Sequence, residues 1–594
     1  MCVCEQFSSL LGILGAMVGI PLIACNFSPE YGAYYGAFVN MVFQKVCPGI
    51  GCALVFGNFW YAWMAAKLAQ KEERMDVTAL PYGINTPAGF MTVFMVMLPV
   101  CFKYSPAFGY TGTPEEFADK AFEAACCANL LGGLIEVSGC VIGEFIRRNV
   151  PRAALFAPIC GVGFVWLGFS PLIDVMREPL IGFIPLGLCF TGFFAANGAG
   201  AYHRSIPVAL VIFVVGTALW WAGLARWDTE ARELNEREKM AEVVAAAARA
   251  YPGKLNWTPF INMRGFSDLG LRMFAIQIPI ALCSFIETIE NVEAAELAGD
   301  AYNVCEAMLA DGLGTCVGAL TGSVVPTTVY IGHRRHKAAG ATALYSLLNG
   351  LIYFILMFSG LTGLLFYIID PVSIGVILIA VGLMIVQHAM EASASRHYPA
   401  LLIGIMFPVA DMVYFDHFDA TASMATRSLG RMRGVANMAP GAGVICSLIL
   451  PAILCDLTDQ RYARASIFCL IGCLFSLFGL MHGNNYVFPN GEIMHANTHS
   501  YDLGEVMLST YTFPSISAFG APIDTASFRY RVNAGERVAN EGWRFAIAYA
   551  ALFFFSMGHA AFQKMKPDVM PAIMDNGKAT VAASSTKISE TAEA

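Results

Sequence analysis

The chain has 594 residues, of which 57% are hydrophobic and only 13% charged, and its formal net charge is −8. Soluble globular chains carry about 25% charged residues, so this composition excludes an ordinary soluble enzyme or binding domain. The small net charge and the lack of a basic patch or tail in the sequence argue against nucleic-acid binding.

Apolar stretches long enough to cross a hydrocarbon core of about 30 Å as helices recur along most of the chain. Fourteen of them form two runs around a polar, helix-prone segment. The predicted spans are 8–25, 46–69, 81–102, 124–146, 152–171, 178–196 and 205–224, then 271–292, 303–321, 326–344, 345–368, 371–391, 398–417 and 437–456. Two more, 463–482 and 543–562, flank a long polar loop.

We therefore predict an all-α polytopic membrane protein built from two seven-span repeats and a C-terminal appendix of two spans. A unit with an odd number of spans is followed by its copy in the opposite orientation, as in many secondary transporters. The predicted divisions are a first repeat (1–224), a polar linker (225–270), a second, inverted repeat (271–456), an appendix (457–565) and a disordered tail (566–594).

Loop charges favour a cytoplasmic N-terminus, because more Lys and Arg lie in the loops that this orientation places inside. The expected location is the plasma membrane or a bacterial inner membrane. Most of the 18 cysteines lie singly in apolar stretches, Cys140 among them. We interpret these as apolar packing residues and expect no metal site, cofactor or structural disulfide.

Two segments interrupt the apolar pattern, each at the third span of its repeat. They are D-V-T-A-L-P-Y-G-I-N-T-P-A-G-F (76–90) and T-G-S-V-V-P-T-T-V-Y-I-G-H (321–333). Their prolines and glycines disfavour a continuous helix, and such backbone must be buried in protein or line a wet cavity. Two broken helices at matching places indicate a solute site near the membrane midplane, with the starts of half-helices facing it. The alternative is a pair of packing kinks.

An acidic stretch ends the first span of the second repeat. Glu287, Glu290 and Asn291 share one helical face, and ionisable groups inside spans usually mark ion or solute pathways. Glu287 is the deepest and is the first candidate for solute contact and ion coupling; Glu290 is either a second coupling residue or exposed at the interface. Glu136, in the middle of a span, is interpreted as a structural residue.

These motifs resemble the xanthine/uracil/ascorbate permeases (the nucleobase–cation symporter superfamily), in particular a branch with the A-L-P-Y-G-I-N-T-P pattern. The resemblance covers about residues 40–480 and also rests on G-N-F-W-Y-A-W-M-A (57–65) and P-T-T-V-Y-I-G-H (326–333). It implies fourteen spans in core and gate domains, short strands in spans 3 and 10, and an elevator motion of core against gate. Members are often dimers and move nucleobases with protons or sodium.

The resemblance assigns solute contact to Glu287, to the paired threonines of span 10 and to the strand of span 3. The candidate solute-binding residues are Tyr82, Gly83, Asn85, Thr86, Glu287, Asn291, Thr327, Thr328, Tyr330 and His333. The family places Glu or Gln after the threonine pair, but this chain has Val329 there. Tyr330 or His333 is the candidate replacement.

The leading prediction is a proton- or sodium-coupled symporter of nucleobase-like solutes, acting on a small molecule within the bilayer and not as an enzyme. A buried carboxyl such as Glu287 can bind and release a proton during transport. The alternative keeps the fold but makes it an anion transporter or exchanger, as in the related sulfate and bicarbonate carriers. The missing second carboxylate and the half-helix starts motivate that alternative.

Overall fold

The structure, a computed structural model, describes residues 2–24, 31–105, 111–195, 201–203, 206–224, 264–266, 272–330, 332–338, 340–416, 438, 443–477, 481–482, 542–566 and 572–573. The predicted linker, the long polar loop and the tail lie almost wholly outside these residues.

The described residues of the first half are mainly helical, with three short strands. Its elements are α1 Cys2–Ala24, α2 Tyr31–Met41, α3 Cys47–Glu72, β1 Tyr82–Ile84, α4 Thr86–Thr92, α5 Leu98–Lys103, α6 Pro114–Asn149, α7 Arg152–Val162, α8 Ser170–Arg177, α9 Pro179–Cys189, β2 Ala201–His203, β3 Ile206–Pro207 and α10 Val208–Leu219. Short π-helical segments at 42–46, 93–97, 163–169, 190–194 and 220–224 continue several of these helices.

The described residues of the second half are also mainly helical, with one short strand. Its elements are α11 Arg272–Leu297, α12 Val304–Thr321, β4 Thr327–Val329, α13 His333–Ala338, α14 Ala343–Phe358, α15 Leu361–Ile368, α16 Pro371–Ala392, α17 Tyr398–Asp416, α18 Gly443–Thr458, α19 Tyr462–Leu477 and α20 Gly542–Met565.

Side-chain caps fix where several helices begin. The Asn303 side chain accepts a hydrogen bond from the Glu306 amide at the start of α12, and Asp370 accepts one from Ser373 at the start of α16. Such caps satisfy amides that have no partner inside the helix. α12 ends at Thr321 and is capped by Gly322, whose φ of 111° suits glycine, and a Cβ on Gly322 would lie 2.9 Å from the Lys45 carbonyl oxygen.

The described residues form a helical membrane protein with apolar surfaces. Six of their helices are long and apolar enough to cross a bilayer, or seven if the pair α14–α15, bent by 85°, counts as one span. Five shorter apolar helices accompany them. Large side chains such as Val141 (84% exposed) and Phe554 (71%) face outward, as expected against lipid. The count of fourteen spans and the inverted repeat stay predictions.

The prediction of a loop between the first two spans, over residues 26–45, is partly wrong. Residues 33–72 form one continuous helical stretch, whereas the sequence placed the start of the second span at residue 46. Phe38 and Val42 are fully buried on this stretch. Packing of such apolar side chains therefore extends the helix beyond the segment that hydropathy selects.

The expectation of no disulfide is also wrong. Cys140 of α6 and Cys305 of α12 are joined as a disulfide, with their Cα atoms 4.4 Å apart. The two residues belong to different predicted repeats and are 165 positions apart in sequence, so sequence spacing could not pair them. The other described cysteines form no disulfide among the described residues, and most are buried, as expected of packing residues.

The two predicted interruptions meet as a two-stranded antiparallel sheet. Tyr82 is opposite Val329, Gly83 opposite Thr328 and Ile84 opposite Thr327, and all six residues are buried. The short strands expected in spans 3 and 10 are therefore present. The Asn85 amide donates to the Pro326 carbonyl, and the Tyr330 amide donates to the Pro81 carbonyl, so both ends of the sheet are closed.

Glycines on the neighbouring helices let Tyr82 reach the centre of the bundle. A Cβ on Gly57 of α3 would lie 2.0 Å from the Tyr82 ring, and one on Gly314 of α12 would lie 2.1 Å from its hydroxyl. The ring also packs against Tyr61 at a centroid distance of 5.3 Å. The sheet is thereby fixed between α3 and α12.

Candidate functional site

A cavity lies beside the sheet where α1, α4, α11 and α16 approach one another. It holds about 70 Å³ of space that a water-sized sphere can reach, which is room for several waters or a small solute. Its lining residues are Gln6, Ser9, Ile84, Thr86, Pro87, Glu287, Tyr330, Val381, Met384 and Ile385. Among the described lining residues there is one carboxyl, that of Glu287, and the residues from α16 are apolar.

Three of the predicted solute-binding residues line this cavity: Thr86, Glu287 and Tyr330. Glu287 lies on α11 and is only 9% exposed. Its carboxyl interacts with the Asn85 side chain and lies near the carboxyl of Asp311. An acidic side chain is thus the main source of charge in a site otherwise lined by hydroxyl, amide and apolar groups.

Asn85 fixes the start of the broken helix at the cavity. Its side-chain oxygen accepts a hydrogen bond from the Ala88 amide at 3.0 Å, and its side-chain nitrogen donates to the Ser284 hydroxyl at 2.9 Å. Thr86 and Pro87 follow as the first residues of α4 and face the cavity. The predicted half-helix start therefore faces the site in the first half of the chain.

The second predicted half-helix is much shorter than the sequence predicted. After β4 the chain forms only α13, six residues long, where the sequence predicted a span to residue 344. Three residues of the second interruption form β4, and pairing with β1 holds them extended. The two described interruptions are therefore not followed by half-helices of equal length.

The strand residues Tyr82, Thr327 and Thr328 direct their side chains into the protein. The Tyr82 hydroxyl bonds to the Thr327 hydroxyl at 2.6 Å, and Thr328 donates to Asp311 at 3.2 Å. Gly83 has no room for a side chain, because its Cβ would lie 2.5 Å from the Gln6 amide nitrogen. These four predicted residues shape the sheet beside the cavity and are not among the residues that line it.

Asp311 on α12 is a buried acidic residue that the sequence analysis missed. It accepts hydrogen bonds from Tyr61 at 2.6 Å, from Thr288 at 2.6 Å and from the Val329 amide at 3.1 Å, besides that from Thr328. Its side chain thus ties β4 to α3 and α11. The rule that selected Glu287, an ionisable residue within an apolar span, applies equally to Asp311 and would have found it.

The remaining acidic-face residues have different surroundings. The Asn291 side chain donates to the carbonyls of Glu287 (2.9 Å) and Val329 (3.0 Å), so it joins α11 to β4. The Glu290 backbone lies in α11, but its side chain falls outside the described residues. Glu136 on α6 is buried, and one of its carboxyl oxygens has no hydrogen-bond partner among the described residues. Its carboxyl interacts electrostatically with those of Asp311 and Glu287.

His333 lies away from the cavity, in a charged cluster around Asp300 in the loop between α11 and α12. The fully buried Asp300 carboxylate contacts Lys337 at 2.6 Å, Arg74 at 2.7 Å and His333 at 2.9 Å, and it accepts from the Thr78 amide at 3.2 Å. The Asp300 cluster therefore links the start of the first interruption to the end of the second.

Burial alone would raise the pKa of the Asp300 carboxyl, but the donors from Lys337, Thr78, Arg74 and His333 outweigh it and lower the pKa. A lowered folded-state pKa contributes stability above the ordinary carboxyl value of about 4, and this is lost only as the pH falls through the lowered value. The contribution of the Asp300 cluster to folding stability is therefore expected to be complete at neutral pH.

Replacing Asp300 by Asn should destabilise the protein by about 3 kcal/mol, because Lys337, Arg74 and the buried His333 lose the carboxylate that they share. The measurement is thermal or denaturant unfolding of purified protein at pH 7. Asp76→Asn is the control: Asp76 pairs with the same Arg74 at 3.0 Å, but its side chain is 68% exposed. Such an exposed pair is worth less than about 1 kcal/mol. Equal losses in the two variants would contradict a special role for the buried carboxylate.

No protein-family model and no curated protein matches the chain, but solved structures of similar fold exist. The transmembrane domain of a cyanobacterium bicarbonate transporter, BicA, has a TM-score of 0.39 and 12% identity over 76% of this chain and 96% of that one. A structure of SLC26A9 gives a TM-score of 0.33 at 12% identity over 68% of this chain and 61% of that one. The murine Slc26a9 anion transporter in the inward-facing state gives 0.35 at 12% over 68% and 64%.

The chain thus spans less than two thirds of the two SLC26A9 chains. The likeness is distant, with TM-scores of 0.33–0.39, and the solute does not follow from it.

Proposed function

We propose that the protein is a secondary active transporter that moves a small polar solute through the cavity beside the β1–β4 sheet. The observation that carries the proposal is the nearly buried Glu287 carboxyl in a cavity formed where two interrupted segments cross. A carboxyl is costly to bury in a membrane protein, and such residues commonly serve ion or solute pathways. Glu287 is the proposed coupling residue, and an elevator motion remains the proposed mechanism.

The chemistry of the cavity favours an uncharged heterocycle of the nucleobase kind. No Lys, Arg or His occurs among the described residues that line the cavity, so none of these residues offsets the charge of an anion. Val381, Met384 and Ile385 form an apolar wall that suits the face of a planar ring. Glu287 lines the same cavity and can accept a ring N–H when ionised, as ligand sites combine apolar walls with few polar groups.

The anion alternative has one observation in its favour. Thr86 and Pro87, the first residues of α4, face the cavity, and helix starts favour negative charge. An ionised Glu287 would repel an anion there, and the Asn85 side chain already occupies the Ala88 amide. An anion would therefore need Glu287 in its protonated form.

Ligand-induced stabilisation of the purified protein separates the two readings. Binding raises the melting temperature by mass action, so we expect a shift with hypoxanthine, xanthine or uracil. Bicarbonate, sulfate and borate should give none at equal concentration. A shift with anions alone would select the alternative, and its size should then increase at lower pH as Glu287 becomes protonated.

A further inference from the structure

Gln6 of α1 reaches the cavity from a helix that the sequence analysis did not associate with the site. It lines the cavity and is only 6% exposed. Its side-chain nitrogen donates to the Tyr82 carbonyl at 2.7 Å, and its side-chain oxygen accepts from Asn349 at 3.2 Å. A primary amide carries two N–H donors, and only one of them has an acceptor among the described residues.

Neighbouring amide and hydroxyl groups fix the position of Gln6. The Asn349 amide also donates to Asn58 at 3.2 Å, and the Ser346 hydroxyl donates to the same Asn58 oxygen at 3.0 Å. All these side chains are buried, and Gly83 leaves the space that the Gln6 amide fills. A donor held this firmly loses little conformational freedom when a ligand binds.

We propose that Gln6 contacts the solute directly, donating its second amide hydrogen to a carbonyl oxygen of an uncharged heterocycle. The inference rests on the proposed function and specifies the recognition at its site. Glu287 accepts a ring N–H and Gln6 donates to the adjacent C=O, so the two residues recognise a cyclic amide. The second polar contact comes from α1, whereas the sequence analysis expected it from Tyr330 or His333.

Hypoxanthine and purine test this contact, because purine lacks the carbonyl of hypoxanthine and the ring N–H next to it, while both keep the imidazole N–H. The affinity of the purified protein for each is measured before and after Gln6→Met, which keeps the length of the side chain. We expect hypoxanthine to bind at least about tenfold more weakly to the variant, because a donor aimed at a substrate oxygen discriminates strongly. Purine binding should stay within about threefold of the wild-type value. Asn58 also approaches the Tyr82 carbonyl, at 3.4 Å, so the strand keeps a donor in this variant.

Two control variants separate contact from structure. Gln387→Met removes an exposed amide that bonds only to Glu391, and it should change neither affinity. Asn349→Ala disturbs the network outside the cavity lining and should affect both ligands alike. If Gln6→Met also weakens both ligands alike, Gln6 only positions β1 and the inference is overturned. If the wild-type protein binds neither heterocycle, the proposed solute class fails and the inference fails with it.

Discussion

Glu287→Gln is expected to reduce the rate of proton-coupled uptake at least about a hundredfold, while the protein stays folded. Gln has nearly the same shape but cannot bind or release a proton, so a transport cycle that needs this exchange stops. Removal of a buried charge is not expected to lower stability, because burying a carboxylate is itself unfavourable. The measurement is initial uptake into proteoliposomes with an imposed pH gradient, together with the melting temperature.

Glu296→Gln provides the matched control on the same helix. Glu296 is exposed near the end of α11, nine positions after Glu287, and should tolerate the change with full uptake. Undiminished pH-driven uptake by Glu287→Gln would contradict the coupling role. Equal loss in both variants would show that the assay reports general damage to α11.

Asp311→Ala is expected to destabilise the protein by about 3 kcal/mol or more, because it removes the acceptor of four buried donors. Tyr61, Thr288 and Thr328 have other acceptors, in Ala307, Ser284 and Val329. The Val329 amide is left without one, in the strand that the site depends on. Thermal or denaturant unfolding measures the loss.

Asp311→Asn should be far less destabilising than Asp311→Ala. Its free energy of unfolding should lie within about 1 kcal/mol of the wild-type value. The Asn oxygen can keep the contacts from Thr288, Thr328 and the Val329 amide, and its nitrogen can donate to the Tyr61 oxygen. Tyr61 meanwhile keeps donating to the Ala307 carbonyl at 2.9 Å. Comparable unfolding of the Ala and Asn variants would contradict this account. Glu306→Gln, in the exposed first turn of α12, is the control and should be neutral.

A stable Asp311→Asn variant also separates structure from function. Full uptake by that variant would make Asp311 a structural residue that holds β4. Loss of uptake in a stable protein would mean that its charge takes part in the transport cycle, together with Glu287. Uptake and melting temperature of the same purified preparation distinguish these outcomes.

Hydropathy predicted the membrane class and the approximate positions of most helices, because long apolar runs have few alternatives in a bilayer. Pro81, Pro87 and Pro326 also located the sheet, since proline and glycine interrupt a span only where protein buries the backbone. The register of Tyr82 opposite Val329 depends on Gly57 and Gly314 admitting the tyrosine, and no local pattern in the sequence reveals that contact.

The site was predicted only in part for a similar reason. Thr86 and Tyr330 lie within the two interruptions, and Glu287 is an acidic residue inside an apolar span. Local sequence features therefore identified all three, and the structure places them at the cavity. Gln6 and the α16 residues reach it from distant parts of the chain. His333 is the last residue of the second interruption, but its side chain contacts the buried Asp300 carboxylate and therefore belongs to the charged cluster.

The central claim is tested most directly by accumulation of a radiolabelled solute in proteoliposomes that contain only the purified protein. With an inward proton gradient, we expect hypoxanthine, xanthine or uracil to accumulate above the external concentration and to leak out when an ionophore collapses the gradient. Liposomes without protein should show neither effect. Equilibration without accumulation under both proton and sodium gradients, for heterocycles and anions alike, would contradict a secondary active transporter.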